Sequence, residues 1–140
     1  MKKILFILLF ITVVLTGVTA KSKSKTDAVS SSSIVPYKTI TMAEAAKLMD
    51  SEKGYVIVDV RTPAEYKEAH IPGAINIPLD TIGDNRISQL QKRDQMIMVY
   101  CRTGVRSRQA SEKLMNKGYT NVVNIGGITS WTGKTVSGSK

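Results

Sequence analysis

The sequence predicts an α/β domain with a mostly parallel central sheet flanked by helices on both faces. Three observations carry this. Short β-branched apolar runs alternate with helical segments between Lys38 and Ile125, the order of a layered α/β domain. Two of those runs, Tyr55–Val60 and Met96–Tyr100, are nearly continuously apolar, as strands covered on both faces of a parallel sheet tend to be. Two further segments place a glutamate three residues after Thr41 and after Thr62, the capping box that opens a helix.

In chain order, Lys38 to Ile40 reads as a brief strand, and the Thr41–Glu44 box opens a helix that runs to about Asp50. Tyr55 to Val60 is the first buried strand, interrupted by Asp59. The Thr62–Glu65 box opens a short helix that ends before His70, with Pro63 where a missing amide costs nothing. Ala74 to Ile77 reads as a strand, Asp84 to Gln91 as a helix, and Met96 to Tyr100 as the strand that delivers Cys101 at its carboxyl end. Ser107 to Lys117 reads as a helix stopped by Gly118, and Asn121 to Ile125 as the last strand. Ligands of such sheets bind outside the carboxyl ends of strands, which is where Cys101 lies.

The 140 residues suffice for one compact domain with a core. Lys2 and Lys3, the apolar stretch Ile4–Val18 and the small residues around Ala20 give residues 1–20 the pattern of a secretory signal peptide. Its apolar run is shorter than the roughly 20 residues that span a bilayer comfortably. Left uncleaved, it would instead anchor the domain to the outer face of the cytoplasmic membrane. The expectation is an exported protein, periplasmic or extracellular, that meets a membrane only if this segment is retained. Residues 21–33 hold almost nothing to bury and read as a flexible linker, 34–136 as the domain and 137–140 as a disordered tail.

The net charge is +9, and cleavage near Ala20 would remove Lys2 and Lys3 from it. No Lys/Arg-rich helix is interleaved with aromatic residues, so nucleic acid is not an expected partner and the basic surface suits solvent or a small anionic substrate. One cysteine and one histidine cannot form an internal disulfide or a cysteine and histidine zinc cage. Neither a metal nor another cofactor is expected, and an unpaired thiol outside the cytoplasm needs a chemical reason to persist.

That reason lies in the segment Cys101-Arg102-Thr103-Gly104-Val105-Arg106, which sits between a buried strand and a helix. Such a loop can wrap around the sulfur with its amides inward, while the helix N-terminus adds partial positive charge. With Arg102, Arg106 and Arg108 close in sequence, the thiolate is favoured and the pKa falls below the roughly 8.5 of a free cysteine. Cys101 is therefore the candidate nucleophile. Arg106 is expected to close the loop and meet an anionic substrate, and Arg102 to stand at its mouth. Thr103, Gly104 and Val105 are expected to supply backbone amides, Gly104 tolerating the sharp turn.

Five segments in order, Asp59-Val60-Arg61, Pro63-Ala64-Glu65-Tyr66, His70 through Pro78, the Cys101–Arg106 loop, and Gly126-Gly127 followed by Trp131, resemble the rhodanese domain. The resemblance runs from about Thr39 to Trp131. It implies a rhodanese-like fold and a sulfurtransferase in which Cys101 attacks the outer sulfur of thiosulfate or another sulfane donor and holds it as a persulfide. The acceptor would be cyanide, a thiol or a protein sulfur acceptor. A noncatalytic binding module or a sulfur carrier is the alternative, and the intact Cys101 argues against the first of these. Related phosphatases and arsenate reductases carry arginine six positions after the cysteine; here that position is Ser107, and the shorter loop disfavours tetrahedral phosphate.

Asp59 and Arg61 read as structural, a carboxylate at a buried strand end with a cation near it, bracing the loop. Glu65 is accounted for by its capping box. His70 with Pro72 and Gly73 reads as turn architecture, and Trp131 as core or rim packing.

Overall fold

Along the strand that ends in Cys101, side chains alternate between two apolar layers. The computed structural model describes residues 37–83 and 85–139, and in it Ile97, Val99 and Cys101 belong to one buried cluster while Met98 and Tyr100 belong to another. A period of two with both sets apolar is what a central strand requires. The sheet has strands β1 (Lys38–Thr39), β2 (Val56–Asp59), β3 (Ile75–Asn76), β4 (Ile97–Cys101) and β5 (Val122–Gly127). Their spatial order is β1-β5-β4-β2-β3, and every pairing is parallel. The short strands β1 and β3 form the edges, and β4 lies at the centre.

Helices cover both faces, as expected. Helix α1 (Met42–Ser51) and helix α2 (Pro63–Glu68) contribute Met42, Ala45 and Tyr66 to the cluster around Met98 and Tyr100. Helix α3 (Val105–Asn116) contributes Ala110 and Leu114 to the cluster around Val99 and Cys101. Both capping boxes are present: the hydroxyls of Thr41 and Thr62 accept from the amides of Glu44 and Glu65, whose carboxylates accept from the threonine amides in return. Gly118 ends α3 with φ +87°; its amide donates to the Met115 carbonyl and that of Tyr119 to the Leu114 carbonyl, the paired bonds of a Schellman motif.

One predicted helix is absent. Residues 85–91 form turns rather than a helix, Asp84 lies outside the described residues, and the local helical element is a 3₁₀ turn at Leu79–Thr81. The misreading has a physical source. Ile87 and Leu90 are spaced like a helical face and both are buried, yet they fill the layer beside α3 as an irregular segment joined by one Leu90-to-Ile87 amide bond. The strand predicted from Ala74 to Ile77 pairs only at Ile75 and Asn76. Helix α3 starts at Val105, two residues before the predicted Ser107. The signal or anchor segment, the linker and the start of the predicted domain lie outside the described residues.

β5 gains one residue on β4, with Val99 opposite Asn124 and Tyr100 opposite Gly126. Such an irregularity bends a strand and re-aims the residues beyond it. Here it brings Gly127 opposite Cys101.

Candidate active site

Cys101 leaves β4 buried, 1% exposed, and the chain turns at once into α3. The turn is made by Gly104, which has φ +103° and stands at the N-cap of the helix. Glycine fits that left-handed geometry without strain, and it brings no side chain to cap the helix. An N-cap side chain normally accepts from the first-turn amides. Here the Cys101 sulfur does so: the Gly104 amide donates to Sγ at 3.1 Å, and the Ser107 amide, third in the helix, is also directed to it.

The electrostatic balance at the sulfur comes from this arrangement. Burial alone would push the Cys101 thiol up, but the amides of Ser107, Gly104 and Thr103 with the Ser107 hydroxyl outweigh it, and the pKa falls below the ordinary thiol value. Amide donors of the loop and of the first turn of α3 therefore favour the thiolate, the inward-facing cradle that the sequence predicts. Ser107 is the residue that sequence reading missed. It is fully buried, and its Oγ lies 3.0 Å from the Gly104 carbonyl and 3.2 Å from that of Gly126.

Arg106 is engaged by Glu65. Its two terminal nitrogens donate to the two carboxylate oxygens of Glu65, both at 2.8 Å. The same carboxylate accepts from the Thr62 amide and hydroxyl, so one residue caps α2 and ties it to α3. Arg102 is exposed, and its carbonyl accepts from the amide and hydroxyl of Thr129. Thr103 and Val105 are exposed on the loop as well, Val105 at 57%.

At the end of β5, Gly127 has no room for a side chain. A Cβ there would stand 2.4 Å from the Arg102 carbonyl oxygen and 2.6 Å from the Thr103 Cα, so only glycine lets β5 pass beneath the loop. Sequence supplies a signal for this, since glycine at a strand end often marks close backbone approach.

Asp59 and Arg61 form a buried pair. Arg61 Nε donates to both carboxylate oxygens at 3.0 Å, one terminal nitrogen reaches Oδ2 at 2.6 Å, and that nitrogen also donates to the Ala69 carbonyl. The guanidinium lies over the Tyr100 ring, 5.7 Å from its centroid. This fastens the segment that leads into and out of α2, the helix whose Glu65 holds Arg106. His70 is engaged elsewhere: its Nδ1 is 2.8 Å from the Tyr66 carbonyl, its ring stacks on Tyr66, and its backbone bridges Val136. The Gly138 amide donates to the Lys67 carbonyl beyond that bridge. Trp131 packs at the rim, its ring against Gly133 and its Nε1–H donating to the Lys134 carbonyl.

The Glu65 carboxyl is lowered from 4.5 to about 2, first by the Arg106 hydrogen bonds, with burial opposing and the Thr62 donors adding to the drop. A lowered folded-state pKa means that the carboxylate's contribution is present above pH 4.5 and is lost as pH falls toward 2. Thermal melts of the parent and of Glu65→Gln should therefore differ by a constant interval at neutral pH. That interval should narrow between about pH 4.5 and 2; an interval independent of pH across that window would sink the assignment.

The Rhodanese-like domain family matches residues 41–134. A thiosulfate sulfurtransferase of Escherichia coli, PspE, is 41% identical over 71 residues, which are 51% of this chain and 68% of that protein. A Bacillus subtilis protein provisionally named as the sulfur carrier YrkF is 36% identical over 97 residues, 69% of this chain. The chain spans about half, 51%, of YrkF's length. The crystal structure of a rhodanese-like domain protein from Staphylococcus aureus superposes with TM-score 0.64 at 35% identity, covering 73% of this chain and 99% of that one.

Proposed function

The chain belongs to the rhodanese-like domain family, and from that premise we propose that it moves sulfane sulfur from thiosulfate or a related small anionic donor through a persulfide on Cys101. The observation that carries the reading is the Cys101 sulfur held by the amides that open α3. The thiolate attacks the outer sulfur of the donor, an S–S bond forms, and the bond to sulfite breaks with sulfite keeping the electron pair. Nothing in this displacement needs a proton, so the engagement of His70 with Tyr66 costs the reaction nothing. A thiol or cyanide then attacks the outer persulfide sulfur, and Cys101 leaves as the thiolate that the same amides stabilise. The helix terminus acts at both steps.

A second reading, delivery of the persulfide to a protein acceptor, is favoured by the sulfur-carrier name of YrkF. The signal pattern of residues 1–20 supports placing this chemistry outside the cytoplasm, in the periplasm or beyond.

The test is the intact mass of the purified full chain after incubation with thiosulfate, and separately with polysulfide. One added sulfur atom is expected, lost on addition of cyanide with thiocyanate released. No gain from either donor would leave a binding module as the better description. A loaded chain that gives its sulfur to cyanide slowly but to a protein thiol quickly would favour the carrier reading.

A further inference from the structure

Resting on the sulfurtransferase reading, we infer that Glu65 is a specificity-determining residue that sets which charge of sulfur donor the site prefers. By holding Arg106 through both carboxylate oxygens, it cancels the positive charge that a doubly negative donor would otherwise meet. The geometry leaves little of Arg106 uncommitted. Its two terminal nitrogens each donate to a separate Glu65 oxygen, and that carboxylate is itself fixed by the amide and hydroxyl of Thr62. Arg106 also feels the Cys101 charge, so what neutralises it is felt at the reacting sulfur. Among the described residues, Arg102 has no carboxylate partner and remains exposed at the loop. The site thus offers backbone amides, which suit any anionic sulfur, and one uncompensated arginine.

Two donors separate the charge from the chemistry. Thiosulfate carries two negative charges and releases sulfite; methanethiosulfonate carries one and releases methanesulfinate. In both cases the Cys101 thiolate forms an S–S bond to the terminal sulfur, the S–S bond of the donor breaks, and the leaving sulfur oxyanion keeps the pair. The ratio of kcat/KM for thiosulfate to that for methanethiosulfonate therefore reports the extra negative charge. A change that alters the nucleophile alone moves both donors together.

Glu65→Gln is a suitable probe because glutamine still completes a capping box and still offers a carbonyl to Arg106. In the full chain it should raise the ratio about fivefold, the scale of one unit charge acting over a partly screened distance, and the rise should shrink in high salt. Arg106→Gln should lower the ratio by a similar factor. The double variant, with the local charge restored to that of the parent, should return the ratio to near the parent value even if both absolute rates are lower. A purely structural pair would instead depress both donors equally in all three variants, and that result overturns the inference. Should neither donor load a sulfur onto the parent chain, it is the sulfurtransferase reading that falls.

Discussion

Replacing Cys101 with serine should abolish persulfide formation and reduce thiocyanate production from thiosulfate and cyanide by at least about a thousandfold, a loss of roughly 4 kcal/mol of transition-state stabilisation. The site's other parts would survive the change. Serine keeps an acceptor for the Gly104 amide that now donates to Sγ, and the N-terminus of α3 stays in place, so donor binding and thermal stability should change little. What is lost is the proposed nucleophile. A serine hydroxyl stays protonated under a cradle that shifts a thiol only below its usual range, and among the described residues the one histidine, His70, is held by Tyr66 rather than placed to take its proton. Intact mass and thiocyanate release measured on the same preparation check this together. A serine variant that still releases thiocyanate at more than a few per cent of the parent rate would show that sulfur moves without passing through Cys101.

Much of the fold could be read from the sequence because its signals are local. The apolar runs of β2 and β4 have a composition that only doubly covered strands tolerate, and the threonine and glutamate pairs state their helix starts chemically. Residues 85–91 show the opposite case. Ile87 and Leu90 carry a helical spacing, but three-residue spacing also occurs in a turn whose two apolar side chains drop into one layer. Tertiary packing decided between them, and nothing in the segment's own residues did. The early start of α3 is similar: Gly104 reads as a turn residue, yet with the Cys101 sulfur accepting amide bonds it serves as a helix cap.

In the site, sequence separation governed what could be read. The Cys101–Arg106 loop is contiguous, so its role as a cradle could be inferred from its position between strand and helix. Asp59 and Arg61 are two residues apart, and their pairing is short-range. The bond between Glu65 and Arg106 spans 41 residues, and Glu65 already had a complete local explanation in its capping box, which concealed its second partner. Gly127 became intelligible only once β5 lay beside β4, because the constraint on it comes from the Arg102 and Thr103 backbone.

The buried pair yields the largest expected effect on stability. Asp59 is fully buried and Arg61 nearly so, with side-chain exposures of 0% and 7%. Asp59→Ala would leave the Arg61 guanidinium buried with the Ala69 carbonyl and the Tyr100 face as its remaining partners. Removing one partner of such a pair costs about 3–5 kcal/mol, because the other charge stays desolvated and unpaired. For a domain of this size that corresponds to a fall in Tm of roughly 15–30 °C. Urea unfolding followed by the fluorescence of the single tryptophan, Trp131, which packs against the cluster that includes Tyr100, measures it directly. Replacing both residues with apolar ones, Asp59→Leu with Arg61→Met, removes the unpaired charge and should recover at least half of the loss. It would still lack the Arg61 bond to the Ala69 carbonyl at the end of α2. The helix that presents Glu65 to Arg106 would then be held less firmly, so the double variant should regain stability while its sulfurtransferase activity stays below the parent's. A double variant no more stable than Asp59→Ala would mean that the loss came from packing volume rather than from a stranded charge.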